Sequence, residues 1–161
     1  MQNLVFRRGF VFFAFKFTAP RSTDRTMSNK PAITVTRLDM QRLEHMLDNL
    51  DDYGAAAEAL EAELARASFV GHTEIANDIV TMNSKAHCYE EVSGTEYQLT
   101  LVYPPQAGIE GNVSILAPIG TALLGLSVGQ TIDWQTPKGK TLKLTLKKVE
   151  YQPEAEQEYT L

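Results

Sequence analysis

Only one cysteine, Cys88, stands in 161 residues. A lone thiol excludes an internal disulfide and a cysteine metal cluster, and it suits a reducing compartment such as the cytoplasm. A small buried residue is the favoured reading of Cys88 over a nucleophile. Aromatic residues are scarce in the body of the chain: six of the seven phenylalanines fall within residues 6–17, leaving Phe69 beyond them. No stretch offers the ~20 apolar residues of a membrane-spanning helix, so no membrane partner is expected. Positive charge is short as well. Residues 1–26 carry +4, residues 27–79 carry −6 and residues 80–161 carry −3, which make up the formal −5. An acidic body is a poor binder of duplex DNA, whose affinity comes largely from Lys and Arg on phosphates, so no direct sequence-specific nucleic-acid binding is expected. A protein partner with basic surfaces fits this charge, and simple solubility explains it equally well. His45, His72 and His87 lack metal-binding spacing, and the residues suggest no catalytic group, cofactor or metal site.

What is present begins with a composition break. Lys16 interrupts the apolar run of the first segment and no Ala-x-Ala follows, which argues against a signal peptide. Met27-Ser28-Asn29-Lys30-Pro31 reads like an ordinary bacterial N-terminus. The expectation is therefore that translation starts at Met27 and that residues 1–26 are a non-native or disordered extension.

Residues 27–75 read as a short helical hairpin. Ile33-Thr34-Val35 is β-branched and suits an extended arm, and Thr36 with Asp39 three residues on resembles a capping box. Leu43, Met46, Leu47 and Leu50 then recur at helical spacing. Asp51-Asp52-Tyr53-Gly54 supplies a turn, and Ala57, Leu60, Leu64 and Ala67 form a second stripe, as in the seam of a coiled coil. Glu58, Glu61 and Glu63 fall on its polar face. Two antiparallel helices of about 14 residues make a rod of roughly 20 Å with Asp51 and Asp52 at its tip. These carboxylates could ligate Mg²⁺, but two without further ligands make a weak site, and solvated turn formers are the favoured reading. Residues 68–79 read as a linker.

From Val80 the pattern turns to strands. Tyr97, Leu99, Leu101 and Tyr103 alternate with Gln98, Thr100 and Val102, and Ser93-Gly94 folds this strand onto Ala86–Val92. After Pro104-Pro105, a loop with Gly108 and Gly111 leads to Val113 and Ile115. Pro118 suits the first turn of a short apolar helix through Leu126, with Gly125 and Gly129 ending it. Ile132 and Trp134 begin another strand, Pro137-Lys138-Gly139-Lys140 turns, and Leu142, Leu144 and Leu146 return. The apolar phase then shifts to Val149 and Tyr151, which predicts a β-bulge. Lys138, Lys140, Lys143, Lys147 and Lys148 read as solvated strand lysines, and Glu154, Glu156 and Glu158 as a mobile end.

The run Ala117-Pro118-Ile119-Gly120-Thr121-Ala122-Leu123-Leu124-Gly125-Leu126-Ser127-Val128-Gly129 resembles the Ser-Pro-x-Gly-x-Ala-Leu-x-Gly-x-x-x-Gly signature of the GreA/GreB C-terminal domain. With Asp78–Ser84 and the closing Glu150-Tyr151-Gln152-Pro153-Glu154-Ala155, residues 30–161 resemble the Rnk family, regulators of nucleoside diphosphate kinase. The resemblance implies an α+β chain: the hairpin, then across residues 76–161 an FKBP-like antiparallel sheet packed around one short helix. It implies binding to bacterial RNA polymerase near the secondary channel, in competition with Gre factors, and a functional link to nucleoside diphosphate kinase. Gre factors contact polymerase through an Asp-Ser-Pro stretch; the matching positions are Leu116, Ala117 and Pro118, where the proline alone is kept. Gre factors also assist transcript cleavage with acidic residues on a much longer coiled coil. A rod of roughly 20 Å does not carry Asp51 and Asp52 as deep, so no cleavage stimulation is expected. Peptidyl-prolyl isomerisation is an alternative raised by the FKBP-like fold alone, which is a poor guide to function; direct action on the kinase is another.

Overall fold

The computed structural model describes residues 30–136 and 138–160. The expectation for residues 1–26 and the Pro137 part of the last turn lie outside the described residues. The chain runs β1 (Thr34–Thr36), α1 (Arg37–Asp48), α2 (Ala55–Ala65), β2 (Ser68–Val70), β3 (Lys85–Glu90), β4 (Glu96–Val102), a 3-10 turn (Pro104–Gln106), β5 (Asn112–Ser114), α3 (Pro118–Leu123), β6 (Thr131–Gln135) and β7 (Thr141–Tyr151). The fold is α+β.

Half of the expected capping box forms. Thr36 Oγ1 accepts from the Asp39 amide at 3.0 Å and so starts α1. Asp39 does not reach back: its carboxylate accepts from the Met82 amide at 3.0 Å, which ties α1 to the later half of the chain. Leu43 and Leu47 are buried from α1, and Ala57, Leu60 and Leu64 from α2, as the stripes require. At 12 residues α1 is roughly 18 Å long. The stretch read as a linker opens with a strand instead. Ser68–Val70 pairs in parallel with β1, and the Ser68 amide donates to Ile33 O at 3.0 Å. Three residues are too few for periodicity to reveal a strand.

A second sheet of five strands has the order β5-β4-β3-β7-β6. The β3–β4, β3–β7 and β6–β7 pairs are antiparallel, as expected. The β4–β5 pair is parallel, which corrects the all-antiparallel expectation. The chain doubles back through the 3-10 turn and Gly111 (φ +81°), then resumes its first direction beside Thr100–Val102. Pro104 and Pro105 start that reversal because they fix φ and cannot extend the ladder. The β3 register slips twice against β7: Cys88 faces Leu146, His87 faces Lys148, Ala86 faces Val149 and Lys85 faces Tyr151. Lys147 and Glu150 are therefore the extra residues of two bulges, at the place where the apolar phase shifts.

One buried cluster runs through the whole described chain, joining Leu43, Leu60 and Leu64 of the helical pair to Met82, Ile115, Leu123, Leu124, Leu144 and Leu146. Each fully buried leucine contributes about 2–3 kcal/mol of transfer free energy. Cys88 is buried in this cluster, and desolvation pushes its thiol up to about 11, as suits an inert core residue. The tail differs from a mobile end. Glu154 accepts from Thr81 Oγ1 at 2.6 Å, and Tyr151 OH donates to Glu158.

Candidate functional site

The Ala117–Gly129 run is built on close backbone approaches. A Cβ on Gly120 would lie 2.0 Å from Ser114 O, so this first turn of α3 seats directly on the end of β5. Gly125 holds φ +75°, and its Cβ would lie 2.8 Å from Ile33 Cβ and from Thr34 O. Its carbonyl accepts from the Thr34 amide at 3.1 Å, and its amide donates to Val80 O at 2.8 Å. The second half of the run therefore receives the N-terminal arm. Thr121 Oγ1 donates to Ile115 O at 2.7 Å and holds α3 onto its own approach.

Leu116, Ala117 and Pro118 form that approach. The Leu116 amide donates to Ser114 Oγ at 3.2 Å, and the Ala117 amide to Ser114 O at 2.9 Å. Ala117 is the N-cap of α3, and its methyl offers the helix no side-chain acceptor. Pro118 is the first helical residue, as anticipated. Leu116 and Pro118 line a cleft of about 790 Å³ between α2 on one side and α3, β6 and β7 on the other. Ala55, Ala56, Ala59 and Ala62 of α2 face Pro118, Ala122 and Ile132 across it. Asp133 and Lys143, paired across β6 and β7, stand on its far wall.

Glu63 is a site residue that the sequence pattern misassigned. Expected on the polar face of α2, it is buried beside the cleft, 6% exposed. Burial alone would raise its carboxyl, but hydrogen bonds from Lys30 and Arg66 outweigh this and hold it below the usual glutamate range. Arg66 Nε donates to Glu63 Oε2 at 2.6 Å while Arg66 also binds Pro31 O at 2.6 Å. A basic residue three positions on, Arg66, was the signal available. The alanines at positions 55, 59 and 62 carried one too, since their i, i+4, i+7 spacing marks a second, small-residue face of α2.

Asp51 and Asp52 are exposed in the turn between the helices and do not line the cleft. Among the described residues no three His, Cys, Asp or Glu side chains come together to hold a metal ion. The lysines do not gather in one place: Lys143 faces the cleft, Lys147 lies 5.3 Å over the Tyr89 ring, and Lys138 and Lys140 are exposed. Among the described residues no helix is long and apolar enough to cross a membrane.

Comparison with known proteins places these features in a class. Residues 75–151 match the family model of the transcription elongation factor GreA/GreB C-terminal domain, and residues 31–70 match the Rnk N-terminus. The regulator of nucleoside diphosphate kinase of Escherichia coli (strain K12) is 38% identical over 135 residues, covering 83% of this chain and 99% of that protein. This chain belongs to the Rnk family. Transcription elongation factor GreA of Syntrophomonas wolfei is 32% identical over 93 residues, 57% of this chain and 58% of its own length. A solved structure of a prokaryotic transcription elongation factor GreA/GreB from Nitrosomonas europaea superposes with a TM-score of 0.64 at 44% identity. It covers 76% of this chain and 100% of that one.

Proposed function

We propose that this protein is a transcription-elongation regulator that binds bacterial RNA polymerase near its secondary channel without stimulating transcript cleavage. Membership of the Rnk family, with a GreA/GreB-type C-terminal domain, supports the broader part of this reading. The cleft carries the narrower part. Leu116 and Pro118, at the positions where Gre factors contact polymerase, form one wall of a groove about 790 Å³ in volume. The other wall is the alanine face of α2, so a polymerase element seated on the loop would also meet the helical pair. Leu116 and Ala117 replace a polar pair, which shifts the contact toward apolar burial and toward weak dependence on salt.

The test is retention of polymerase core by the tagged protein at physiological salt, with a Gre factor as competitor. Displacement by the Gre factor, and about tenfold weaker retention by Ala59→Glu, are expected. Ala59 is exposed and faces the cleft, so this variant fills the groove and leaves the core intact. No retention by the unaltered protein would overturn the reading.

The name shared by the Rnk relatives favours an effect on nucleoside diphosphate kinase as a second strand of this function. Kinase activity measured with purified components separates direct binding, where activity changes on mixing, from altered expression, where it does not. Proline isomerisation finds less support. No aromatic ring is among the described residues lining the cleft, and Trp134 packs edge-on against Tyr97 with centroids 6.2 Å apart.

A further inference from the structure

We propose that the C-terminal tail, residues 152–160, is a clasp that sets how the helical pair sits on the β-sheet domain and thereby sets the width of the cleft. The tail leaves β7 and doubles back on itself. The Glu158 amide donates to Pro153 O at 2.8 Å, and Gln157 takes φ +60° at the bend. Its grip begins at Gln152, 2% exposed, whose Nε2 donates to Ala76 O at 2.9 Å and Ile79 O at 2.8 Å. Both carbonyls belong to the loop that joins the helical pair to the five-stranded sheet. Glu154 takes the Thr81 hydroxyl from the same loop at 2.6 Å. At the far end, Arg42 of α1 donates to the Tyr159 carbonyl at 2.5 Å. The Tyr159 ring meets His72 edge-on, centroids 4.7 Å apart.

These contacts fall on the segments that must shift relative to one another if the helical pair swings. Arg42 stands one helical turn after Asp39, on the same face of α1, and Asp39 is the residue bound to the Met82 amide. Tyr103, just beyond β4, is half-buried, and its hydroxyl, shielded from solvent, lies beside both Arg42 and Asp39. The face of α1, the joining loop and the tail thus close around one polar cluster. Three of the acceptors are backbone carbonyls, which hold position more tightly than long side chains do. Because α2 is one wall of the cleft and is linked to α1 by a short turn, rotation of the pair changes the cleft's width. The inference concerns the free protein and stands apart from the polymerase reading.

Two variants test it: Arg42→Met, which keeps the aliphatic stem, and a chain ending at Glu158. Amide hydrogen exchange reads the Met82 amide against amides of β3 and β7. Spin labels at positions 51 and 96, in a Cys88→Ala background, read the distance from the helical tip to the sheet. In both variants the Met82 amide is expected to exchange about tenfold faster while strand amides are unchanged, and the distance distribution to broaden. An unaltered Met82 amide with an unaltered distance overturns the clasp. So does equal acceleration of every amide, since the tail would then contribute global stability alone.

Discussion

Asp39 carries a carboxylate into the interior, 1% exposed, and the consequences follow from desolvation. Burial raises it to about 6, and the nearby Glu154 adds to the rise, while the Met82 amide, Arg42 and Thr36 oppose it. The folded state therefore holds more protons than the unfolded state between the ordinary value of 3.8 and about 6. Stability from this group is full below that window and falls as pH rises through it. Asp39→Asn keeps an acceptor for the Met82 amide and removes the charge. Denaturant midpoints from pH 4 to 7 should lose this downward slope in the variant, and an unchanged slope would assign it elsewhere. Glu150 works in the opposite sense. Hydrogen bonds, first from His87 at 2.9 Å and then from Lys85, hold its carboxyl down at about 2, so its contribution is present above 4.5 and is lost as pH falls toward 2. A carboxyl NMR titration should find Glu150 ionised to about pH 2 and raised by His87→Gln. Gly120 is set by a different force. With Ser114 O only 2.0 Å from its would-be Cβ, Gly120→Ala should cost about 3 kcal/mol, read as a shift in urea midpoint.

Among the elements, α3 shows a short helix surviving with a poor start. Six residues cannot sustain a helix through their own hydrogen bonds; burial of Ile119 and Leu123 holds it. Its N-cap lacks an acceptor, so Ala117→Ser should stabilise the protein by about 1 kcal/mol in thermal or urea unfolding. The same change restores part of the polar Gre pair, and its effect on polymerase retention separates helix stability from contact chemistry. The β3–β4 turn solves a similar problem from within. The buried Glu90 carboxylate accepts from the Val92 and Ser93 amides at 3.0 and 2.8 Å, and Gly94 at φ +71° completes the reversal. The Ser93-Gly94 turn is legible in sequence; the role of Glu90 is not, since alternation places it on the buried face with Ala86 and Cys88 but the amides that satisfy its carboxylate come together only in the folded turn.

Taken together, the helical pair and the sheet share one core, with β1 seated against Gly125 and α1 pinned to Met82. With α1 roughly 18 Å long, Asp51 and Asp52 stand exposed in the turn that follows it, without a third ligand among the described residues. Replacing both with asparagine should leave transcript cleavage in stalled polymerase complexes unchanged, because the unaltered protein is expected not to stimulate it. Cleavage that appears with the unaltered protein and vanishes with the pair of substitutions would overturn that expectation.

The helices, most of the strands, the β7 bulge and the Ala117–Gly129 run were readable because each rests on local rules: apolar spacing, caps, turn residues and a glycine-rich motif. What required tertiary structure were the pairings between distant segments. The β1–β2 and β4–β5 parallel pairs, the turn of Glu63 from polar face to buried ion pair, and the tail's hold on α1 all depend on which surfaces meet. Asp39 illustrates the division. Its place three residues after Thr36 was enough to locate a helix start, but the partner of its carboxylate, the Met82 amide 43 positions away, exists only once the two halves pack. The cleft belongs to the same category: its residues come from α2, α3, β6 and β7, and no sequence period joins them.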